Sequence, residues 1–200
     1  MTVVSPQTYK IEQFRGLHIP GKPFLLFNVW DAGSAEAVAA TGAKAIATSS
    51  WSVANANGFA DGERIPLALA IDNLRRIVSA TDLPVTIDLE SGYGNTPEMV
   101  GESVNMAINA GAAGCNLEDS FPANGKLRET TDQCHRIRRA RQTAEAAHMH
   151  FFLNVRTDVF FQTPSAQHTD DMVVEAIERA RAYADAVQTG SSRPAWQIPL

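Results

Sequence analysis

Five short apolar runs rich in β-forming residues recur along the chain: Phe24–Trp30, Ala45–Ser49, Val85–Glu90, Gly114–Glu118 and Phe151–Thr157. Amphipathic stretches separate them. Leu67, Ile71, Leu74 and Ile77–Val78 repeat at the spacing of one helical face, as do Val100, Val104, Ala107 and Ile108. Further helices are predicted over Thr131–Ala147 and Asp170–Ala186. Strand–helix alternation of this kind predicts βαβ units around a parallel, buried sheet, an α/β fold. A weak internal repeat agrees: Ala40-Thr41-Gly42-Ala43 and Asn109-Ala110-Gly111-Ala112 each place Gly after a helix and lead into a strand. A third copy is due after Tyr183-Ala184-Asp185-Ala186. There the chain instead reads as a loop, Val187 to Pro194, and the pattern breaks.

The polar positions are as ordered as the apolar ones. Asp31, Ser49–Ser50, Asp88 and Glu90, Glu118 and Asp119, and Arg156 and Asp158 all fall at the carboxyl ends of the predicted strands. Ligands of parallel α/β folds bind at those ends, so the five together predict a polar, mostly acidic site on one face. The length of 200 residues and 44% hydrophobic content suit one globular domain with an ordinary core. A net charge of −5 argues against nucleic acid or an anionic membrane as partner. The basic run Arg136, Arg138, Arg139 and Arg141 reads as the solvated face of a helix. Cys115 and Cys134 lack metal-ligand spacing and suggest no disulfide framework. With no signal-peptide pattern and no apolar run long enough for a bilayer, a soluble cytoplasmic protein is expected.

Asp88 and Glu90, spaced i, i+2, are expected to share one side of their strand, as are Asn116 and Glu118. Three carboxylates converging on a pocket repel one another unless a cation lies between them. All-oxygen ligands without His or Cys favour a hard ion such as Mg²⁺. The same carboxylates could instead cap helices or pair with arginines. Arg156 is suited to grip a substrate carboxylate with its planar fork, or to form a salt bridge with Asp158 or Glu118. The Ser91-Gly92-Tyr93-Gly94 turn either lets backbone approach a ligand or is a plain turn.

Taken in order, Phe27 to Ala35 (FNVWDAGSA), Ala47-Thr48-Ser49-Ser50, Asp61-Gly62-Glu63, Asp88 to Gly94 (DLESGYG), Asn116-Leu117-Glu118-Asp119 and Asn154 to Asp158 (NVRTD) resemble the isocitrate lyase/phosphoenolpyruvate mutase family over about residues 10–186. The resemblance implies a TIM-type (β/α)₈ barrel that binds Mg²⁺ and a small 2-oxo or 2-hydroxy carboxylate, with C–C or C–P chemistry through an enolate. Carried over by position, it implies Asp88 as the principal metal-site carboxylate and Glu90 in place of the second Asp common in the family. Glu118 then acts on the metal through water. Ser49, Ser50 and Trp51 resemble the loop whose backbone N–H groups hold the substrate. Asp61 occupies the place of an acid near the reacting centre, and Arg156 that of the carboxylate-binding arginine.

Two departures shape the expectation. Family lyases that cleave isocitrate or methylisocitrate carry a Cys-Gly-His loop after the fourth strand. Here that loop reads Ser120-Phe121-Pro122-Ala123-Asn124-Gly125-Lys126-Leu127-Arg128, without Cys or His. Cys115 points away from Glu118, and Cys134 reads as a helix core residue. The expected activity is therefore that of the phosphonomutase and oxaloacetate-decarboxylase side of the family. The second departure is length: a full barrel takes ~250 residues, and five βα units are legible. The expectation is a partial barrel over 1–186 and a divergent tail over 187–200. Phe151, Leu153 and Val155 would then lie beside an open edge, only partly covered by Trp196, Ile198 and Leu200. A few hundred Å² of apolar surface left open costs several kcal/mol, at ~25 cal/mol per Å², so the chain is expected to associate, as a homo-oligomer, to aggregate, or to be unstable as a monomer. A catalytically inactive member that serves as a binding or assembly protein is the alternative function.

Overall fold

The computed structural model describes residues 5–188. Five parallel strands lie in the order β1-β2-β3-β4-β5: β1 Phe27–Val29, β2 Ile46–Thr48, β3 Val85–Asp88, β4 Gly114–Glu118 and β5 Phe152–Arg156. Seven α-helices connect and flank them: α1 Pro6–Leu17, α2 Ala32–Ala40, α3 Ser50–Ala56, α4 Leu67–Ser79, α5 Pro97–Asn109, α6 Thr130–Ala146 and α7 Asp170–Val187. Strand order equal to chain order, with a helix in each connection, is the winding of an α/β barrel, here through five strands.

Alternation along the strands divides the side chains between two environments. Val85, Ile87, Cys115, Leu117 and Leu153 pack into the main core with Ile71 and Leu74 of α4, Val100 and Val104 of α5, and Ile137 of α6. The intervening residues face the other way, into the barrel interior. Strand register sets them in rows: Asp88 beside Asn116, Asn116 beside Asn154, and Glu118 beside Arg156. Asn154 Nδ2 donates to Asn116 Oδ1 at 2.8 Å, so one row is tied across two strands. Lower down, α1 buries Ile11 and Phe14 against Ala45, Ala113 and Phe152. Its start is set by Ser5, whose side chain accepts from the Thr8 N–H.

Three expectations change. The strands are shorter than the apolar runs, and β3 ends at Asp88. The Glu90 carbonyl still accepts from the Glu118 N–H at 2.8 Å, but with φ of 50° its N–H donates to the Asp88 carboxylate instead of a neighbouring strand. Asp88 and Glu90 therefore do not share one side of a strand. The basic run is not wholly a solvated face either: Arg136 and Arg141 are buried, while Arg138 and Arg139 are exposed. Burial is possible because carbonyl oxygens receive them, Ser91 and Gly94 for Arg136 and Phe151 for Arg141. Finally, Phe151 and Leu153 are buried in the main core, with Val155 packed against it, rather than bare at an edge. Exposed apolar side chains occur instead at Phe161, Val173 and Val174. Of the expected tail, residues 189–200, including Trp196, Ile198 and Leu200, lie outside the described residues. Among the described residues no helix is long and apolar enough to cross a membrane.

Candidate active site

The carboxyl ends of β3, β4 and β5 bring Asp88, Glu118 and Arg156 onto one inner face, in neighbouring register. Arg156 lies 2.6 Å from Glu118 through a terminal guanidinium nitrogen. Its Nε lies 2.7 Å from Asp158 Oδ1, and the second terminal nitrogen also reaches Asp158. Both salt bridges considered from the sequence are thus formed, and the arginine stays about 40% exposed. Burial alone would lower its pKa; the Asp158 hydrogen bonds and the Glu118 charge outweigh that and raise it. Burial pushes the Glu118 carboxyl up to about 8, Arg156 pulls against that, and Asp88, Asp158 and Glu90 add to it.

Glu90 stands beside this pair in the turn after β3. It accepts from the Glu63 N–H at 2.8 Å and from the Tyr93 hydroxyl at 3.3 Å. Burial raises its pKa to about 7; the Glu63 N–H opposes the shift, and the charges of Asp61, Asp88 and Glu63 support it. Asp61 itself is exposed on the segment before α4. Asp88 accepts from two backbone groups, the N–H of Ser50 and that of Glu90. Ser49 caps α3 through its hydroxyl, which accepts from Ser52 N–H. The Ser49–Trp51 segment is therefore the start of a helix rather than a loop, with the Trp51 side chain 62% exposed.

The acidic excess at these strand ends suits a cation, but not one stripped of water. Among the described residues, no group of three His, Cys, Asp or Glu side chains is placed to hold a metal ion together. The carboxylates that could hold such an ion are Asp88, Glu90 and Glu118. Mg²⁺ keeps several waters and is commonly held by one or two carboxylates plus substrate oxygens, so this donor set fits it.

Several participants were given no role at the site by the sequence. Asp119 is fully buried and accepts from Thr157 Oγ1, Asp158 N–H and Tyr183 OH at 2.7–2.8 Å, with Arg179 at 3.4 Å. It ties the ends of β4 and β5 to α7 and so holds Asp158, the partner of Arg156. The loop after β4 is a tight hairpin, with Ser120 bridged to Leu127. Ser120 Oγ donates to Asp158 at 2.5 Å, and buried Arg128 stacks over Phe121 at 4.0 Å. The signal that could have found Arg136 was helical spacing: Gln133, Arg136, Ile137, Ala140 and Ala144 form one buried stripe.

Cys115 and Cys134 are both buried, and burial pushes the Cys115 thiol up to about 12. Reactive cysteines need an accessible thiolate. Thiol-blocking reagents are therefore expected to leave activity nearly intact. Rapid stoichiometric inactivation with substrate protection would contradict this.

Comparison with known proteins agrees with the geometry. Residues 14–188 match the family model described as phosphoenolpyruvate phosphomutase. A crystal structure from Burkholderia cenocepacia J2315, described provisionally as a phosphonomutase, is similar at 55% identity and a TM-score of 0.87. That likeness covers 90% of this chain and 71% of that one. The 2-methylisocitrate lyase of Escherichia coli (strain K12) is 30% identical over 85% of this chain and 60% of its own. A structure of oxaloacetate acetylhydrolase with its product oxalate is similar at 26% identity and a TM-score of 0.78, covering 92% of this chain and 62% of that one. The chain spans about three fifths of the length of the curated relatives it matches over most of its own length. On the extent of the model match and the placement of the matching motifs at the strand ends, the chain belongs to the phosphoenolpyruvate mutase/isocitrate lyase family.

Proposed function

We propose that this chain is a Mg²⁺-dependent enzyme of the lyase or mutase type acting on a small 2-oxo carboxylate. The observation that carries the reading is the convergence of Asp88, Glu118 and Arg156 on one inner face at the strand ends. Its likeness to an oxaloacetate acetylhydrolase and to a provisional phosphonomutase supports the substrate class. Mg²⁺ bound there would supply positive charge to the substrate's carboxylate and keto oxygens and to the enolate as it develops.

The chain's own residues divide the remaining work. Asp88, Glu90 and, through water, Glu118 would hold the cation. Arg156 presents guanidinium to the substrate carboxylate, which displaces Glu118 from one nitrogen while Asp158 keeps the other edge oriented. At the start of α3 the Ser49 N–H is held by the Val29 carbonyl and that of Ser50 by Asp88, so of Ser49, Ser50 and Trp51 the last offers its backbone N–H to substrate, and Asp61 stands at the mouth of the site. In oxaloacetate decarboxylation the electrons of the breaking C–C bond pass into the enolate, CO₂ leaves, and a proton returns to carbon to give pyruvate. The hairpin over 120–128 contributes neither Cys nor His, which disfavours isocitrate-type cleavage.

Turnover of oxaloacetate and phosphonopyruvate, measured side by side with Mg²⁺ and with a chelator, tests the reading. Mg²⁺-dependent turnover of at least one is expected. Binding of 2-oxo acids without turnover would favour the inactive binding protein instead. Neither binding nor turnover would overturn the substrate class.

A further inference from the structure

Four non-glycine residues among those described have positive φ, and three of them meet at one place: Glu63 at 58°, Glu90 at 50° and Tyr93 at 53°. This region is disfavoured for residues with a Cβ, and such residues persist where surrounding contacts hold them. Here the contacts are mutual. The Glu63 N–H donates to Glu90 Oε2. Glu63 Oε1 accepts from Ser91 Oγ at 2.7 Å and from Tyr93 N–H at 2.8 Å.

One side of this knot is anchored independently. Buried Arg136 donates from α6 to the carbonyls of Ser91 and Gly94, and Ser103 donates from α5 to that of Gly92. Gly92, at φ of 102°, has Leu117 and Val100 atoms 3.0 Å from where a Cβ would lie, so the turn is pressed onto the core. The other side, Asp61-Gly62-Glu63, is a surface turn between α3 and α4 with Asp61 exposed. Gly62 supplies a φ of 89°, which lets the chain fold back onto the anchored turn.

We propose that Glu63 is a positioning residue whose carboxylate docks the Asp61 turn onto the Ser91–Gly94 turn and so sets where Asp61 stands at the mouth of the site. The proposal rests on the reading of Asp61 as an acid near the reacting centre. Glu63 itself would touch neither substrate nor metal.

Amide hydrogen exchange on the whole chain tests the docking without any turnover. Glu63→Ala is expected to speed exchange of the Glu63 and Tyr93 amides by about tenfold or more, with α5 and α6 unchanged, as a local opening. Glu63→Gln keeps a side-chain oxygen to accept the same bonds and is expected to stay within about threefold of the parent. Ser91→Ala, which removes one donor, should fall between them and serves if Glu63→Ala does not fold. Glu63→Ala exchange at the parental rate, or Glu63→Gln as fast as Glu63→Ala, would overturn the proposal. So would uniform acceleration across α5 and α6 in both Glu63→Ala and Ser91→Ala, since that marks a global structural role.

Turnover adds an independent readout: on an Asp61→Ala background, Glu63→Ala should lower kcat no further. A full further loss would show that Glu63 does not act through Asp61. Absence of turnover in the parent would count against the proposed function alone, and the exchange comparison would still decide the docking.

Discussion

Replacing Asp88 with Ala is expected to weaken Mg²⁺ binding by about a hundredfold or more, a loss of about 2.7 kcal/mol. The neighbouring carboxylates are poorly placed to compensate. Glu90 is engaged by the Glu63 N–H and the Tyr93 hydroxyl, and Glu118 by Arg156 at 2.6 Å. Calorimetric titration with Mg²⁺, in the presence of a 2-oxo acid, measures the effect. Because the substitution also removes the acceptor of the Ser50 and Glu90 N–H groups, Asp88→Asn, which retains an acceptor oxygen, is the companion variant. Unchanged affinity in both would remove Asp88 from the site.

The largest effect on stability is expected at Asp119. Its side chain is fully buried and serves Thr157, Asp158, Tyr183 and Arg179 together. Asp119→Ala leaves the buried Tyr183 hydroxyl and Asp158 N–H without this acceptor and removes the buried one of the two carboxylates paired with Arg179, Glu175 remaining at 2.9 Å. Removing one partner of a buried ion pair costs about 3–5 kcal/mol. For a domain of this size that is a fall in Tm of roughly 10 °C, at about 2–4 °C per kcal/mol. Thermal unfolding followed by circular dichroism provides the number. A shift below about 2 °C would mean that water replaces the lost acceptor at little cost.

The main lines of the fold were legible in the sequence because the core-facing side of each parallel strand leaves a short run rich in β-forming apolar residues. The centres of all five runs became strands, and the helices around Leu74, Val104, Ile137 and Tyr183 fell where periodicity put them. The ends were less legible. An apolar run does not show where hydrogen bonding stops, and at Glu90 a side chain supplied the acceptor that a neighbouring strand would have given. α1 carries only Ile11 and Phe14 as its buried face, too few apolar positions to stand out among polar neighbours.

At the candidate site, motif order located Asp88, Glu118 and Arg156 on neighbouring strand ends. It gave Glu118 a role at the site and Asp119 none; Glu118 faces Arg156, and Asp119 is locked into a buried polar knot. Adjacent strand residues point to opposite sides, and that alternation was the available clue. Arg136 was misplaced for a different reason: charge patterning carries no information about buried carbonyls able to receive a guanidinium. The partnership of Glu63 with Ser91 and Tyr93 spans about thirty positions. Nothing local in either segment announces it.

The central claim is that these strand ends generate and stabilise an enolate with Mg²⁺. Solvent deuterium exchange into the methyl group of pyruvate, followed by proton NMR, reads that event without requiring a bond to carbon or phosphorus to break. The account predicts exchange that needs both the protein and Mg²⁺, stops on chelation, and is lost in Asp88→Ala. Pyruvate that binds in the presence of Mg²⁺ while its methyl protons exchange no faster than in buffer would contradict it.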